Sequence, residues 1–386
     1  MDKFVIKEFV GDIKSELKEI GFDSEYITQA QNKFKYKNIK IFDVTSAQAN
    51  IIKQTALSFG ADCATHRDVI TGKADKTDCI LGASHSQLKK IVQKLKEQPF
   101  HLKILSEQIE YYISDKLTPI VIKDNMFDFS RTYIVGILNL GESFSDGYTD
   151  FNSAAEHLEK MISDGADIID IGAESTKPGS NKVDDDIQIK KILPILDYIS
   201  SNNIRIPISI DTRSSSVAKI CLDKGADIIN DVSGLDFDKN MVKVISEFNC
   251  PIIIQHSSST PDIMQNNTNY KNLMDDIYKS LYQKIEFAKE NGVDTNKIIT
   301  DPGIGFGKTR EQNIEILNRF EEFFSLNCPI MIGTSRKSFL NMKKEDNTTK
   351  DIFTLAINAV LMKKKVNFLR VHNVELHKKL LDSEIL

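Results

Sequence analysis

Two carboxylates and one amide end apolar runs of this chain, and together they suit the recognition of a flat heterocycle. Asp211 ends the run PISID, Asn230 ends DIIN and Asp301 ends IITD. Burying such groups is costly unless each finds a hydrogen-bonding partner. An internal hydrogen-bond network, or a helix cap in the case of Asp211, would explain one of them. Three together favour a nitrogen-rich ring whose amidine-like edge donates paired hydrogen bonds to carboxylates.

A second group of polar residues has the chemistry of a phosphate site. Lys337 in SRKS, and Arg370 with His372 in RVH, follow the last two apolar runs, and Thr176 in EST adds a hydroxyl donor. The simpler interpretation of Lys337 and Arg370 is that they are exposed to solvent, and the simpler interpretation of His372 is a structural role. A strand nevertheless places residues two apart on one side, where Arg370 and His372 would clamp a diphosphate. Asn139 is a neutral oxygen ligand suited to Mg²⁺ held chiefly by substrate phosphates.

Eight apolar runs position these residues. Continuous runs of this kind are typical of parallel strands that helices cover on both faces. Because they alternate with helical stretches, the sequence predicts a (β/α)8 TIM barrel over residues 128–386, with the strand ends around one cavity. The sixth run contains DPGIGFGK, a loose glycine-rich phosphate loop without the Walker pattern. The runs are TYIVGILN, DIIDIGAEST, PISIDTR, DIINDV, PIIIQH, IITDPGIGFGK, PIMIGTSRKS and NFLRVH.

Residues 1–120 are predicted to form a separate small α/β domain, joined to the barrel through the segment 118–130. The runs KNIKIFDVT, DCATHRDVI and TDCILGA are typical of strands, and SAQANIIKQTALSFG, SHSQLKKIVQKLK and SEQIEYYISD of helices. Ser84 opens the second helix, where serine is more often a cap than a catalyst. The domain carries no recognisable nucleophile motif, which favours a role in oligomerisation or in bracing the barrel.

Composition narrows the range of partners. The 386 residues carry a net charge of −5 with a pI near 5.9, which argues against a general binder of nucleic acid. The charged N-terminus does not resemble a signal peptide, and no apolar run approaches the roughly 20 residues that span a bilayer. Five scattered cysteines indicate reduced thiols in a cytoplasmic enzyme. The spacing of Cys63, His66 and Cys79 fits no zinc pattern. We expect small-molecule substrates, no membrane, and a homodimer.

From Phe127 onward the chain resembles dihydropteroate synthase, the pterin-binding enzyme of folate biosynthesis that sulfonamides target. The resemblance covers about two-thirds of the chain and rests on motifs in a fixed order. It implies a transferase that joins (7,8-dihydropterin-6-yl)methyl diphosphate to 4-aminobenzoate, giving 7,8-dihydropteroate and pyrophosphate by a dissociative, SN1-like route. The motifs are GILN, SFSDG, GAESTKPG, IDT, IINDVSG, MQ, DPGIGFGK, SRKS and RVH.

The resemblance also implies residue roles. Asp211, Asn230 and Asp301 would bind the pterin ring, and Lys337 would bridge the pterin and 4-aminobenzoate sites. The diphosphate would be held by Thr176, Arg370 and His372, and Asn139 would contribute to Mg²⁺. The 4-aminobenzoate pocket would be shaped by Phe144, Asp146, Pro178, Phe306 and Ser338. Asp211 and Asp146 would stabilise the pterin cation, and the arylamine nucleophile needs no strong general base.

Three departures from the family pattern are visible. The loop after Asn139 is one residue shorter, with LGES before Phe144. Lys177 replaces an arginine, which keeps the charge but not a bidentate fork. The segment Gln255–Ser259 replaces a motif with two methionines. Two alternatives stay open. A pterin-binding methyltransferase domain that acts with a corrinoid protein shares the barrel and the pterin-binding carboxylates, and a non-catalytic homologue is supported only by the shortened loop.

Overall fold

The computed structural model describes residues 4, 6–114, 117–142, 144, 147–175, 180, 182–259, 268–340 and 345–385. The chain divides into two compact units, residues 1–116 and 117–386. None of the helices in these described ranges combines the length and the hydropathy that a bilayer crossing requires.

The first unit is a three-stranded antiparallel sheet with helices. Its sheet order is β1–β3–β2, and its core consists of residues such as Ile52, Leu81, Leu88 and Ile91. The second predicted strand is shorter than expected, because a 3-10 turn over Arg67–Val69 replaces its end. The elements are α1 (Ile13–Glu19), α2 (Ile27–Ala30), β1 (Tyr36–Thr45), α3 (Ser46–Ser58), β2 (Asp62–Thr65), β3 (Lys76–Ser84), α4 (His85–Leu95) and α5 (Leu102–Ile113).

Ser84 is a helix cap, as the sequence predicts. Its Oγ accepts from the backbone N–H of Gln87, and the Gln87 side chain accepts from the backbone N–H of Ser84. Thr45 and Gln48 make the same reciprocal pair at the start of α3. Each pair satisfies backbone donors that a helix start would otherwise leave open, which fixes where the two helices begin.

The second unit is a closed parallel barrel, which confirms the predicted (β/α)8 fold. The sheet order is β11–β10–β9–β8–β7–β6–β13–β12, and a bridge between Thr300 and Ile330 joins β11 to β12 and closes the ring. Each of the eight apolar runs forms one strand. The strands are β6 (Tyr133–Asn139), β7 (Ile168–Gly172), β8 (Ile208–Asp211), β9 (Ile228–Asp231), β10 (Ile252–Gln255), β11 (Ile298–Asp301), β12 (Met331–Ile332) and β13 (Phe368–Val371).

Helices follow the strands and cover the outside of the barrel. Side chains on one face of each strand, such as Ile134, Ile210 and Ile254, pack with helix residues such as Leu158 and Leu281. The helices are α6 (Phe151–Ser163), α7 (Asp185–Ser201), α8 (Ser215–Asp223), α9 (Met241–Phe248), α10 (Leu273–Glu290), α11 (Arg310–Arg319), α12 (Asn347–Lys363) and α13 (Val374–Asp382).

An apolar plug fills the interior at the beginnings of the strands. The segment predicted as a connection contains a hairpin of β4 (Ile120–Ile122) and β5 (Asn125–Phe127). Its Ile120, Ile122 and Phe127 cluster with the first inward-facing residues of the strands. The Phe127 ring lies 4.9 Å from that of Tyr133 and 5.7 Å from that of Phe368, measured between centroids. The polar strand ends therefore line a cup with an apolar floor.

Candidate active site

Strand alternation sets a layer of polar side chains directly above the apolar floor. Ile168, Ile228, Ile253, Ile299 and Phe368 belong to the floor. Successive side chains alternate between the two faces of a strand, so the residue two positions later faces the cup again. That rule brings five side chains from five strands into one layer, namely Asp170, Asn230, Gln255, Asp301 and Arg370. The register pairs Asp211 with Asn230 at the rim of neighbouring strands.

Arg370 connects this layer through two buried carboxylates. Its Nε donates to Asp170 Oδ2 and its Nη2 donates to Asp211 Oδ2, each at 2.6 Å. Asn230 Nδ2 donates to the same Asp170 oxygen at 3.0 Å. The sequence predicted Asp211, Asn230 and Arg370 but missed Asp170, which lies within the run DIIDIG. The two-residue spacing from Ile168 was the signal that could have found it.

Several acceptors in this network remain available for a ligand. Among the described residues, Oδ1 of Asp170, Oδ1 of Asp211 and Oδ1 of Asn230 are buried and have no hydrogen-bond partner, and neither does Oγ of Ser209. Buried acceptors in native proteins are normally paired. Burial raises the pKa of the Asp211 carboxyl to about 7, although the Arg370 guanidinium acts in the opposite direction. A ligand with several adjacent N–H donors matches this arrangement.

Lys337 lies against an aromatic ring and within the electrostatic influence of Asp301. Its Nζ donates to the backbone carbonyl of Ile304 at 2.5 Å and lies 4.8 Å from the centroid of the Phe306 ring. Burial lowers the pKa of Lys337 to about 8, and the Asp301 carboxylate opposes that shift. Burial also raises the pKa of Asp301, which accepts from the backbone N–H of Gly303 at 2.6 Å. Ser338, in contrast, is exposed.

The glycine-rich segment after β11 does not form a phosphate cradle. The backbone N–H of Gly303 is bonded to Asp301, and that of Gly305 donates to Asn313 Oδ1 at 2.7 Å. Lys308 is buried and donates to backbone carbonyls of its own loop. The N–H groups of Gly303 and Gly305 and the Lys308 ammonium, which a phosphate loop would present to its ligand, are therefore engaged within the protein.

A small cavity of about 70 Å³ lies beside the rim at the end of β6. Asn139 and His372, both predicted from the sequence, line it together with Ile137, Tyr148, His157 and Arg336. His372 Nδ1 lies 2.8 Å from Ser335 Oγ. Burial and the Arg336 charge lower the pKa of His157. Sequence reasoning missed His157, a partly buried histidine on α6.

Arg370 and His372 share one side of β13, but the Arg370 guanidinium is bonded to the two carboxylates.

Part of the predicted site lies outside the described residues. Asp146, Thr176 and Pro178 belong to this group, as does Lys177. Phe144 is half-buried in the loop after β6, and its N–H donates to Gly141 O at 3.4 Å. Tyr148 closes that loop by pairing its backbone with Asn139 and Gly141. The described residues contain no group of three or more His, Cys, Asp or Glu side chains arranged to hold a metal ion.

Comparisons with known proteins agree on one family. A model of the pterin binding enzyme family matches residues 135–372. The dihydropteroate synthase of Clostridium beijerinckii is 44% identical over 251 residues, which cover 63% of this chain and 90% of that protein. The chain belongs to the dihydropteroate synthase family. The resemblance seen in the motifs is thereby confirmed.

A solved synthase structure shares the barrel. The dihydropteroate synthase of Anaplasma phagocytophilum, solved with bound 6-hydroxymethylpterin-monophosphate, is 32% identical with a TM-score of 0.60. The match covers 66% of this chain and 98% of that one. Nearly the whole of that synthase therefore corresponds to part of this chain.

Another relative extends the similarity into the first unit. The probable bifunctional folylpolyglutamate synthase/dihydropteroate synthase of Haloferax volcanii is 31% identical over 347 residues, which cover 86% of this chain. This chain spans 41% of that protein. Residues 117–386 make up only about 70% of the chain, so the match must include part of the first unit. A segment similar to part of residues 1–116 is therefore also present in this Haloferax volcanii relative.

Proposed function

We propose that this chain condenses (7,8-dihydropterin-6-yl)methyl diphosphate with 4-aminobenzoate, giving 7,8-dihydropteroate and pyrophosphate. The observation that carries the proposal is the set of open acceptors on Asp170, Asp211 and Asn230 above the apolar floor of the cup. The amidine-like edge of a pterin offers adjacent N–H donors to such a set. The synthase family supplies the reaction, and the cup supplies a matching site for its first substrate.

The diphosphate end of that substrate would occupy the cavity beside β6. His372 and Arg336 line that cavity, and Arg336 is itself paired with Asp351 through Nε and Nη2, each at 2.8 Å. The family resemblance implies that Thr176 and Arg370 bind the same end of the substrate. Cations near a departing diphosphate stabilise the charge that grows on it. Arg370 reaches the diphosphate once its Nη2 leaves Asp211, which also frees Asp211 for the pterin.

Mg²⁺ fits this corner as an ion held mainly by substrate phosphates. Asn139 would be its oxygen ligand from the protein, and this single neutral donor suits an ion that keeps several waters. When bound there, Mg²⁺ supplies positive charge that favours departure of the diphosphate.

The proposed chemistry is a dissociative displacement. As the diphosphate leaves, the electron-rich pterin delocalises the positive charge on its methylene carbon, and the Asp211 carboxylate, with Asp146, stabilises it. The aromatic amine of 4-aminobenzoate carries a free electron pair at neutral pH, so it attacks the methylene carbon without a strong base, and the acidic anilinium that forms loses its proton to water. It would lie between Lys337 and the pocket of Phe144, Pro178, Phe306 and Ser338. Sulfonamides, which resemble 4-aminobenzoate in shape, would compete for that pocket.

Pyrophosphate release tests this function. Purified protein with pterin diphosphate, 4-aminobenzoate and Mg²⁺ should release pyrophosphate and form dihydropteroate, and omission of 4-aminobenzoate should stop dihydropteroate formation. Asp211→Ala and Lys337→Ala should each abolish most of the rate, while Lys243→Ala on α9 should keep it. Folded wild-type protein that forms no dihydropteroate would exclude the synthase assignment.

We further propose a cytoplasmic homodimer. All five cysteines are free thiols, which suits a reducing compartment. On α12, Ile352, Phe353 and Val360 lie on one side and are 56%, 50% and 56% exposed, a row that a second copy would cover. Sedimentation should show a dimer for the wild type and a monomer for Phe353→Asp. A monomeric wild type would contradict this assembly.

A further inference from the structure

Lys308 is a buried lysine that the proposed reaction does not use. The residue is 3% exposed. Its Nζ donates to Gly303 O and to Phe306 O, each at 2.9 Å, and lies 3.0 Å from His256 Nδ1. Within the described ranges no carboxylate is at ion-pair distance from this ammonium, although buried lysines are normally paired. Burial lowers the pKa of Lys308 to about 7.

The contacts of Lys308 lie on both sides of the carbonyl that holds Lys337. Gly303 and Phe306 flank Ile304, whose carbonyl accepts from Lys337 Nζ at 2.5 Å. The Phe306 ring lies against the same Nζ, at 4.8 Å from its centroid. One ammonium therefore fixes the two ends of the short segment that provides both contacts of Lys337.

The bond to His256 ties this segment to the end of β10. Gly303 has a φ of 70°, and a Cβ at this position would lie only 1.9 Å from the carbonyl oxygen of His256. The loop and the strand end are therefore in direct contact. Burial and the neighbouring ammonium lower the pKa of His256 well below its usual value, so a neutral ring accepts at Nδ1.

We propose that Lys308 is a positioning residue that holds Ile304 and Phe306 so that Lys337 stands between the pterin and 4-aminobenzoate sites. This inference rests on the proposed function for its catalytic consequence. Its structural part, the placement of Lys337, can be measured without any activity.

The test compares Lys308→Met with Lys284→Met. Lys284 is a second buried lysine that donates to two carbonyls, Ser233 O at 2.9 Å and Gly234 O at 2.7 Å, and it lies on α10 outside the proposed site. Unlike Lys308, it also pairs with a carboxylate, Asp236 Oδ2 at 2.6 Å. Both variants remove an ammonium that bridges two loop carbonyls, so both should lower the melting temperature.

Only Lys308→Met should change the kinetic constants for the second substrate, 4-aminobenzoate. We expect kcat/KM for 4-aminobenzoate to fall roughly tenfold to hundredfold, since a displacement of about 1 Å can cost that much, while KM for pterin diphosphate changes less than about threefold. Lys284→Met should leave both values within about threefold of the wild type. Equal losses for both substrates, or a folded Lys308→Met with unchanged kcat/KM for 4-aminobenzoate, would overturn the proposal.

Acetylation provides the measurement that does not need activity. Limited acetic anhydride, with modified lysines mapped by mass spectrometry, should label Lys337 several-fold faster in Lys308→Met than in the wild type or in Lys284→Met. Unchanged labelling overturns the placement role even when the wild type forms no dihydropteroate. If Lys308→Met does not fold, His256→Asn takes its place. This variant should raise both the rate at which Lys337 is acetylated and KM for 4-aminobenzoate, and no change in either would refute the inference.

Discussion

Replacement of Asp170 by asparagine tests whether the buried network recognises the pterin substrate. The substitution keeps the size of the side chain and removes its charge. Asp170 Oδ2 accepts from Arg370 Nε at 2.6 Å and from Asn230 Nδ2 at 3.0 Å, and the carboxylate is completely buried. An asparagine oxygen can still accept one of these bonds, but no longer as a charged acceptor.

The size of the effect follows from the bonds that weaken. A hydrogen bond to a charged group contributes about 1.5–3 kcal/mol, and neutral partners give roughly half as much. Weakening two such bonds costs about 1.5–3 kcal/mol, which corresponds to roughly tenfold to hundredfold in an equilibrium constant. Arg370 would then pair mainly with Asp211, so the pterin would have to compete for that carboxylate. KM for pterin diphosphate should therefore rise by about this factor, while KM for 4-aminobenzoate should stay near that of the wild type.

Steady-state kinetics with each substrate varied in turn would measure both constants. Asp231→Asn is the matched control, because Asp231 is also a buried carboxylate on a barrel strand. Its oxygens accept from the backbone N–H groups of Ser233 and Leu235 in the loop after β9. It should lower the stability and leave both KM values unchanged. An Asp170→Asn enzyme with wild-type KM for pterin diphosphate, or with equal increases in both constants, would refute the reasoning.

Other predictions concern pH and stability. Burial raises the pKa of Asp211 to about 7, and this group must accept hydrogen bonds as a carboxylate, so kcat/KM should rise with pH through about 7. Burial lowers the pKa of Lys337 to about 8, and this group must carry its proton, so kcat/KM should fall above about 8. In pH profiles, Lys337→Arg should shift the alkaline decline upward, and an unshifted decline would contradict this assignment. Glu174→Gln disrupts a buried bidentate ion pair with Arg213, whose two hydrogen bonds are 2.9 and 3.0 Å long. Urea unfolding should show that the free energy of unfolding falls by about 3–5 kcal/mol, and a decrease below about 1 kcal/mol would argue against a stabilising role. Ser84→Ala removes a helix cap and should lower the unfolding free energy of the first unit by about 1 kcal/mol without changing kcat, and an altered kcat would reveal a catalytic role for that unit.

The strands were predictable because each buried strand is a separate apolar run. The run ending at Asn139 and the run ending at Asp301 form strands with those last residues. Asp170 was missed because it lies inside its run, where a carboxylate interrupts an apolar stretch. Its inward direction becomes clear only when the neighbouring strands fix the register.

Two further features depend on contacts that a sequence does not contain. The hairpin with Ile120 and Phe127 is too short to show strand periodicity, and the barrel interior that buries it comes later in the chain. For Arg370, strand alternation gave the correct side of β13. A long side chain can reach several neighbours from there, and the two carboxylates on β7 and β8 decide where its guanidinium lies.

The hairpin plug has a kinetic consequence. A barrel that is closed at its floor has a single entrance, so both substrates pass the same rim. With the pterin in the polar layer above the floor and 4-aminobenzoate nearer the entrance, the second substrate would block the path of the first. Binding should therefore be compulsory in order, pterin diphosphate first, and dihydropteroate should leave with its aminobenzoate end leading.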